Sequence, residues 1–293
     1  MMTPVIHRVT QLDLTRSDWL WPFARERREE IDALFASKRA EKPQLFHGRV
    51  LLARNAQFTG ERFRADYFET DFASFLAWRD WRCPDPDVFN GFGMGALRAS
   101  DGAFVLGEMG QHTSNAGRIY FAAGTPDLDD LRGDVVDIAG SVTREVEEEL
   151  GLTEADYRAD AGWSCVVTDF SVAMMRLLDA DQPGEVLRST IEANLAGQAS
   201  PELSGIHLVR SEADFTPTMP LFVTAFMTAQ LAPAILPRRC RPIFVPSSRP
   251  SSDVWRRCRR HATLSAPVSR SCRSHVCQAS CVRVEVLYRA VSD

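Results

Sequence analysis

The sequence predicts an α/β (α+β) fold, a mixed-sheet α/β/α sandwich, within a 293-residue chain. Three observations carry it. Short apolar runs closed by turn residues interleave with segments of helical period, the element order of a mixed α/β layer structure. The composition, 45% hydrophobic and 25% charged, is that of an ordinary globular protein. No apolar run reaches the ~18–20 residues that would span a bilayer. The pattern divides the chain into a helix and strand-rich N-terminal extension over 1–89, an organised domain over 90–232, and an irregular tail over 233–293.

Residues 17–40 read as a helix, with Ser17 and Asp18 as caps and Pro22 in its first turn. Two strands follow, GRVLLARNAQF and ERFRADYFETDF, then a short aromatic helix over 71–81 whose Phe72, Phe75, Leu76 and Trp78 suit a core or interface. GMGALRA and AFVLGEM flank Ser100-Asp101-Gly102, so the spacing predicts a hairpin. RIYFAAG is a further strand, leading into the acidic loop GTPDLDDLRGDVVD and a helix over 138–150. Strands at WSCVVTDF and VAMMRLL, a helix over 184–195, a strand at GIHLV and an apolar helix near 219–231 complete the body. Gly91, Gly93 and Gly95 in GFGMG lack the G-x-G-x-x-G spacing and no helix follows, so they are not read as a phosphate loop. Glu108 and His112 are candidates for a pocket rim.

Charge separates body from tail. Residues 1–232 hold 22 basic and 36 acidic side chains, a net −14; residues 233–293 hold 12 and 3, a net +9. Such asymmetry marks a change of module. The acidic body argues against a specific nucleic-acid partner, and the lack of a spanning run against a membrane. The N-terminus lacks the continuous apolar stretch of a signal peptide, so the expected location is cytoplasmic. Five of seven cysteines crowd the tail, which has no sustained period and is rich in Arg, Ser and Pro. The chain uses 32 Arg against 2 Lys, the mark of a GC-rich gene, and reading such a gene out of frame yields this composition. The tail is therefore read as a frameshift or read-through product. Its Cys272, His275, Cys277 and Cys281 are spaced more tightly than common structural zinc patterns.

REVEEELGL, residues 144–152, sets four glutamates in five positions. With Glu145 at zero on a helical wheel of ~100° per residue, Glu149 falls near ~40° and Glu148 near ~−60°. Glu147 falls on the far side, while Val142, Val146 and Leu150 form an apolar stripe beside the other three. Like charges so close repel by about 0.2–0.5 kcal/mol per pair. Either the helix presents a solvated acidic face, or a divalent cation such as Mg²⁺, which takes oxygen ligands, relieves the repulsion.

The same nine residues match R-E-U-x-E-E-x-G-U (U, bulky apolar) at every specified position, and so resemble the second half of the Nudix box. The preceding strands GALRASDGAFVLGEM and RIYFAAGTPD are similar to those that precede the box in that family. YFETDFASFLAWRDW through NAGRIYFAAGTPDLDD resembles one uncharacterised bacterial subgroup. The resemblance implies a Nudix hydrolase domain over 90–232 that cleaves a nucleoside diphosphate linked to another group, X, with Mg²⁺ or Mn²⁺ as cofactor. It implies Glu145, Glu148 and Glu149 as metal ligands, Glu148 and Glu149 as catalytic residues, Arg144 as their orienting partner, and Gly151 as the helix end. One departure stands out. The usual box has Gly fourteen residues and Glu eight residues before its Arg; here these positions are Asp130 and Val136. Gly124, twenty residues before Arg144, is the candidate box glycine, with a loop six residues longer. Asp127, Asp130, Asp134 and Asp137 are the candidates to replace the missing Glu.

The implied partner is a small-molecule nucleoside diphosphate derivative, and a homodimer is left open. Two readings compete with hydrolysis: a non-catalytic module that senses a nucleotide metabolite, and a basic tail that recruits nucleic acid. For the tail, resequencing the 3′ end of the gene is expected to return a different frame from codon 233 onward. A clean in-frame reading would overturn the frameshift reading.

Overall fold

The computed structural model describes residues 3–232, so the tail and its cysteines lie outside the described residues. Along the chain run β1 (Val5–Val9), β2 (Gln11–Arg16), α1 (Pro22–Glu26), α2 (Arg28–Glu41), β3 (Arg49–Thr59), β4 (Arg62–Asp71), α3 (Phe72–Asp80), β5 (Val88–Arg98) and β6 (Phe104–Met109). Then come β7 (Ile119–Tyr120), β8 (Leu131–Arg132), β9 (Val135–Val136), α4 (Ile138–Leu150), β10 (Tyr157–Ala159), β11 (Trp163–Val167), β12 (Ser171–Ala180), α5 (Gly184–Gly197), β13 (Leu203–Val209) and α6 (Leu221–Leu231).

The strands make one mixed sheet in the order β1-β11-β12-β5-β3-β4-β2-β9-β8. The β12–β5 and β2–β4 pairs are parallel; β3–β4, β3–β5, β11–β12 and β1–β11 are antiparallel. Strands from 3–89 and from 90–232 are thus hydrogen-bonded into the same sheet, β1 on β11 and β3 on β5. Strand alternation explains how both faces are covered. In β3, Val50 and Leu52 join the aromatic cluster of α1–α3, around Trp21, Ile31, Phe68 and Trp78, while Leu51 and Ala53 face the main core. In β5, Phe92 meets Phe222 of α6 edge-on at 5.6 Å. Gly93 and Gly95, of opposite parity, lie under α4: an added Cβ would stand 2.6 Å from Val142 Cγ2 and 2.5 Å from Val146 Cγ2, respectively. Helices α4 and α6 therefore cover opposite faces of β5, the α/β/α sandwich the sequence predicts.

Three local expectations change. The hairpin at Ser100-Asp101-Gly102 keeps its turn but hardly pairs: β5 and β6 share only Arg98 with Phe104. The reason is competition for the facing edges. β12 and β13 take one edge each of β5 and β6, and the segment 119–122 enters between the other two, with Ile119 and Tyr120 opposite Glu108 and Gly107 of β6 and Ala122 opposite Gly95 of β5. The first helix starts at Pro22, not at Ser17 or Asp18. Trp21 is its N-cap, no side chain caps it, and Arg27 separates α1 from α2. Residues 5–16, to which no element is assigned from the sequence, form two strands on the edges that β11 and β4 offer. No helix among the described residues is long and apolar enough to cross a membrane.

Because Gly95 admits Val146, a Gly95→Val change overpacks the α4–β5 contact. It is expected to cost about 1–3 kcal/mol, seen as a lower urea midpoint with an unchanged m-value.

Candidate active site

Helix α4 begins at Asp137, whose Oδ1 accepts from the Gly140 N–H at 2.9 Å, and ends at Gly151 in the left-handed region, φ +70. Its apolar stripe is buried: Ile138, Val142, Val146 and Leu150 are each at most 3% exposed. Docking that stripe on β5 fixes the rotation of the helix and hence the depth of its acids. Glu149 is buried, Glu145 is nearly so, and Glu148 and Glu147 are exposed. The expectation that Glu148 turns inward with the other two is corrected: its side chain is 61% exposed. One residue, ~100° of rotation, separates it from the buried seam occupied by Glu149.

The seam's far wall is the strand-like segment after Tyr120. Gly95 bridges to Ala122, Ala123 donates its N–H to Glu149, and Gly124 lies against Glu145. A Cβ on Gly124 would stand 2.3 Å from Glu145 Oε1. A larger residue there would have to displace the Glu145 carboxylate from its position. Burial is the main influence on both acids. It pushes Glu145 up to about 7, with Glu148 and Glu202 adding to the rise and Arg144 offsetting part of it. Burial also pushes Glu149 well above the usual carboxylate range, helped by the charges of Glu145 and Glu202. Tyr120, buried beside Glu149, is held as a neutral phenol by burial and by that carboxylate.

Among the four loop aspartates, Asp130 alone reaches the box arginine. Arg144 Nη2 lies 2.9 Å from Asp130 Oδ1, and its Nη1 lies 3.0 Å from Glu145 Oε1 and 3.6 Å from Glu148 Oε2. Asp130 is almost wholly buried, and its Oδ2 accepts from the Asp127 N–H at 3.0 Å. Burial works against the guanidinium charge, but the Asp130 hydrogen bond and the surrounding carboxylates hold Arg144 firmly protonated. Asp127 caps the short 3₁₀ turn Leu128–Asp130, the Asp134 carbonyl accepts from the Arg16 N–H at 2.8 Å, and Asp137 caps α4. Val136, at the expected Glu position, is a core residue.

A cavity of about 990 Å³ is lined in part by Ala123 and Gly124, while Glu145 and Glu149 are not among its lining residues. Phe72, Phe75 and Trp78 of α3, Phe92 of β5, Phe170 and Phe222 supply aromatic walls, while Arg79, Arg82 and Arg118 bring positive charge. Sequence reasoning finds α3 as an aromatic helix but not its place beside the box, because nothing local links residues 72–83 to 123–124. Glu202, just before β13, is a further carboxylate near Glu145 and Glu149 that a turn-like sequence, SPELSG, conceals. Glu108 and His112 do not join this site: Glu108 pairs with His207 at 2.8 Å. Burial pushes the thiols of Cys83 and Cys165 up to about 11 and about 12, so neither is a thiolate nucleophile near neutral pH.

Among the described residues no three His, Cys, Asp or Glu side chains stand together closely enough to hold a metal ion. The chemistry of the donors nonetheless fits a hard divalent cation. All are carboxylates, two are buried in the seam, and a single guanidinium shared with Asp130 and Glu148 offsets Glu145.

No family model and no curated protein matches the chain. Among solved structures it is similar to a Nudix hydrolase from M. smegmatis, RenU, at 14% identity over 52% of this chain and 93% of that one, with a TM-score of 0.33. It is also similar to the MutT protein from Methanosarcina mazei Go1, at 17% identity over 48% of this chain and 91% of that one, with a TM-score of 0.29.

Two neighbouring aspartates separate positioning from capping. Asp130→Asn places an amide between the Arg144 and Asp127 donors, so one contact becomes donor against donor; a loss of about 1–3 kcal/mol is expected. Asp137→Ala is expected to cost about 1 kcal/mol as a lost helix cap. Chemical denaturation measures both.

Proposed function

We propose that the protein is a metal-dependent pyrophosphohydrolase of the Nudix type, acting in the cytoplasm on a nucleoside diphosphate linked to X. One observation carries the reading. The two residues whose backbone touches the buried acids of α4, Ala123 and Gly124, also line the 990 Å³ cavity. A substrate in that cavity lies across a glycine-thin wall from Glu145 and Glu149, and its volume suits a nucleotide-sized ligand.

Glu145, Glu148 and Glu149 are the residues that would hold Mg²⁺ or Mn²⁺. A bound cation would neutralise the diphosphate and lower the pKa of an attacking water. The chain's own residues prepare for that. Burial disfavours the charged forms of Glu145 and Glu149, and a bound cation would compensate that cost as it displaces their protons. Arg144, pinned by buried Asp130, holds Glu145 by its Oε1 and keeps Glu148 near by. Tyr120, which lines the cavity, offers a phenolic oxygen that accepts from the Asn115 amide at 3.1 Å, beside Glu149. The aromatic walls shield the reacting bond from bulk water and give flat faces for a base.

A screen of ADP-ribose, nucleotide sugars, dinucleoside polyphosphates, coenzyme A and NADH with Mg²⁺ is expected to return at least one hydrolysed member, with turnover abolished by EDTA. Glu149→Gln is expected to lower kcat by about 100-fold or more while circular dichroism stays native. Binding of one member without turnover would replace hydrolysis by sensing, and full activity in Glu149→Gln would remove the catalytic assignment.

A further inference from the structure

The cavity wall reverses the sign of the body around it. Residues 1–232 carry a net −14, yet three arginines and only one carboxylate, Asp169, line this cavity. They share one piece of wall. Asn115 Oδ1 accepts from Arg79 Nη1 at 3.4 Å, its carbonyl accepts from the Arg118 N–H at 3.0 Å, and the Arg79 carbonyl accepts from the Arg82 N–H at 3.1 Å. The nearby carboxylate of Asp80 is committed, to Lys38 at 2.6 Å and Arg79 at 3.6 Å. Arg82 and Arg118 are exposed, and among the described residues neither guanidinium has a hydrogen-bond or ion-pair partner. Clustered guanidiniums repel one another, and an anion between them removes that repulsion through charge-assisted hydrogen bonds.

The backbone points the same way. Arg82 and Cys83 are consecutive non-glycine residues in the left-handed region, φ +64 and +55. Glycine would occupy Arg82's conformation without strain, so the arginine is kept there for its side chain. The Cys83 N–H holds the turn by donating to the Trp78 carbonyl at 2.8 Å. The result keeps Arg82 on the wall of the cavity that Phe75 and Trp78 also line, with the Arg79 guanidinium 6.0 Å from the Phe75 ring centre.

We propose that Arg82 and Arg118 form an anion subsite that selects nucleoside diphosphate derivatives carrying a phosphate or carboxylate beyond the diphosphate itself, over those with a neutral X. This rests on the nucleotide reading of the cavity. Aromatic walls take the flat ring, the side toward Gly124 takes the diphosphate, and the arginine wall takes the additional charge.

The test is calorimetric binding by the full chain in EDTA, which needs no turnover, with matched pairs differing in one anionic group. Coenzyme A against dephospho-coenzyme A examines a phosphate; UDP-glucuronate against UDP-glucose examines a carboxylate. In at least one pair the charged member is expected to bind about tenfold tighter at low salt, with the advantage shrinking as salt screens it. The double variant R82Q/R118Q is expected to bring that ratio near one, while R82K/R118K keeps most of it, which separates charge from loss of fold. Equal binding within both pairs overturns the subsite and leaves the nucleotide reading standing. Uniform weakening of both members in R82Q/R118Q also overturns it, because the arginines would then hold the shared diphosphate. No binding by any member, either in EDTA or with Mg²⁺ on the Glu149→Gln chain, overturns the subsite and the nucleotide reading together.

Discussion

The contact that everything at this site depends on is the close approach of α4 to β5 through Gly93 and Gly95. No side chain separates the strand from Val142 and Val146, so the helix lies near its minimum distance. A helix fixed at that depth has no freedom to rotate without exposing its apolar stripe. The residues one step on from Val142 and Val146 along the wheel then have fixed environments. Glu149 must enter the seam beside Ala123, Glu145 must meet Gly124, and Glu148 must stand at the edge. The electrostatic character of the acids, two destabilised by burial and one solvated, follows from van der Waals packing several ångströms away.

That packing would leave a costly seam if nothing answered it, and the answer comes from a distant part of the chain. The loop between Gly124 and α4 is longer than the box pattern allows, yet it is not loose. Its Pro126 carbonyl accepts from Leu51 N–H of β3 at 2.7 Å, and β8 and β9 pair with each other and continue the sheet from β2 through Thr15 and Val135. The N-terminal segment thus holds the loop, and the loop delivers Asp130 to Arg144. The extra residues are spent on a small hairpin that restores an ion pair to the arginine from a position the motif does not anticipate.

This explains which parts were legible in the sequence. Helix α4, its cap region and its inward glutamates follow from a 3.6-residue period and a glycine stop, both local signals, and most strands follow from apolar runs between turns. Asp130 was one of four indistinguishable candidates, because a buried acid and a turn-making acid look alike in sequence; only the hairpin's register decides between them. The Ser100-Asp101-Gly102 hairpin failed for a related reason. Turn chemistry reports how the chain reverses, but whether the flanking strands pair depends on the segment 119–122, which enters between β5 and β6 and bonds to both. The strands over residues 5–16 were invisible because their partners, not their composition, make them strands.

The cavity follows the same logic at a larger scale. Its box-side wall belongs to residues 123–125, but Phe72, Phe75, Trp78, Arg79 and Arg82 belong to α3 and the turn after it. Those are held in place by an aromatic cluster of their own: Trp21 Nε1 donates to Asp85 at 2.8 Å and Trp78 Nε1 donates to the Asp85 carbonyl at 3.3 Å. Two separately packed clusters therefore meet at one ligand-sized space, one bringing Ala123 and Gly124, whose backbone lies against the acids of α4, and the other bringing Arg79 and Arg82. An apolar space with guanidiniums on its wall suits a ligand that joins a flat ring to anionic groups. The N-terminal segment then does two jobs with one piece of structure: it braces the loop that carries Asp130 to Arg144, and it supplies aromatic and cationic side chains to the cavity wall.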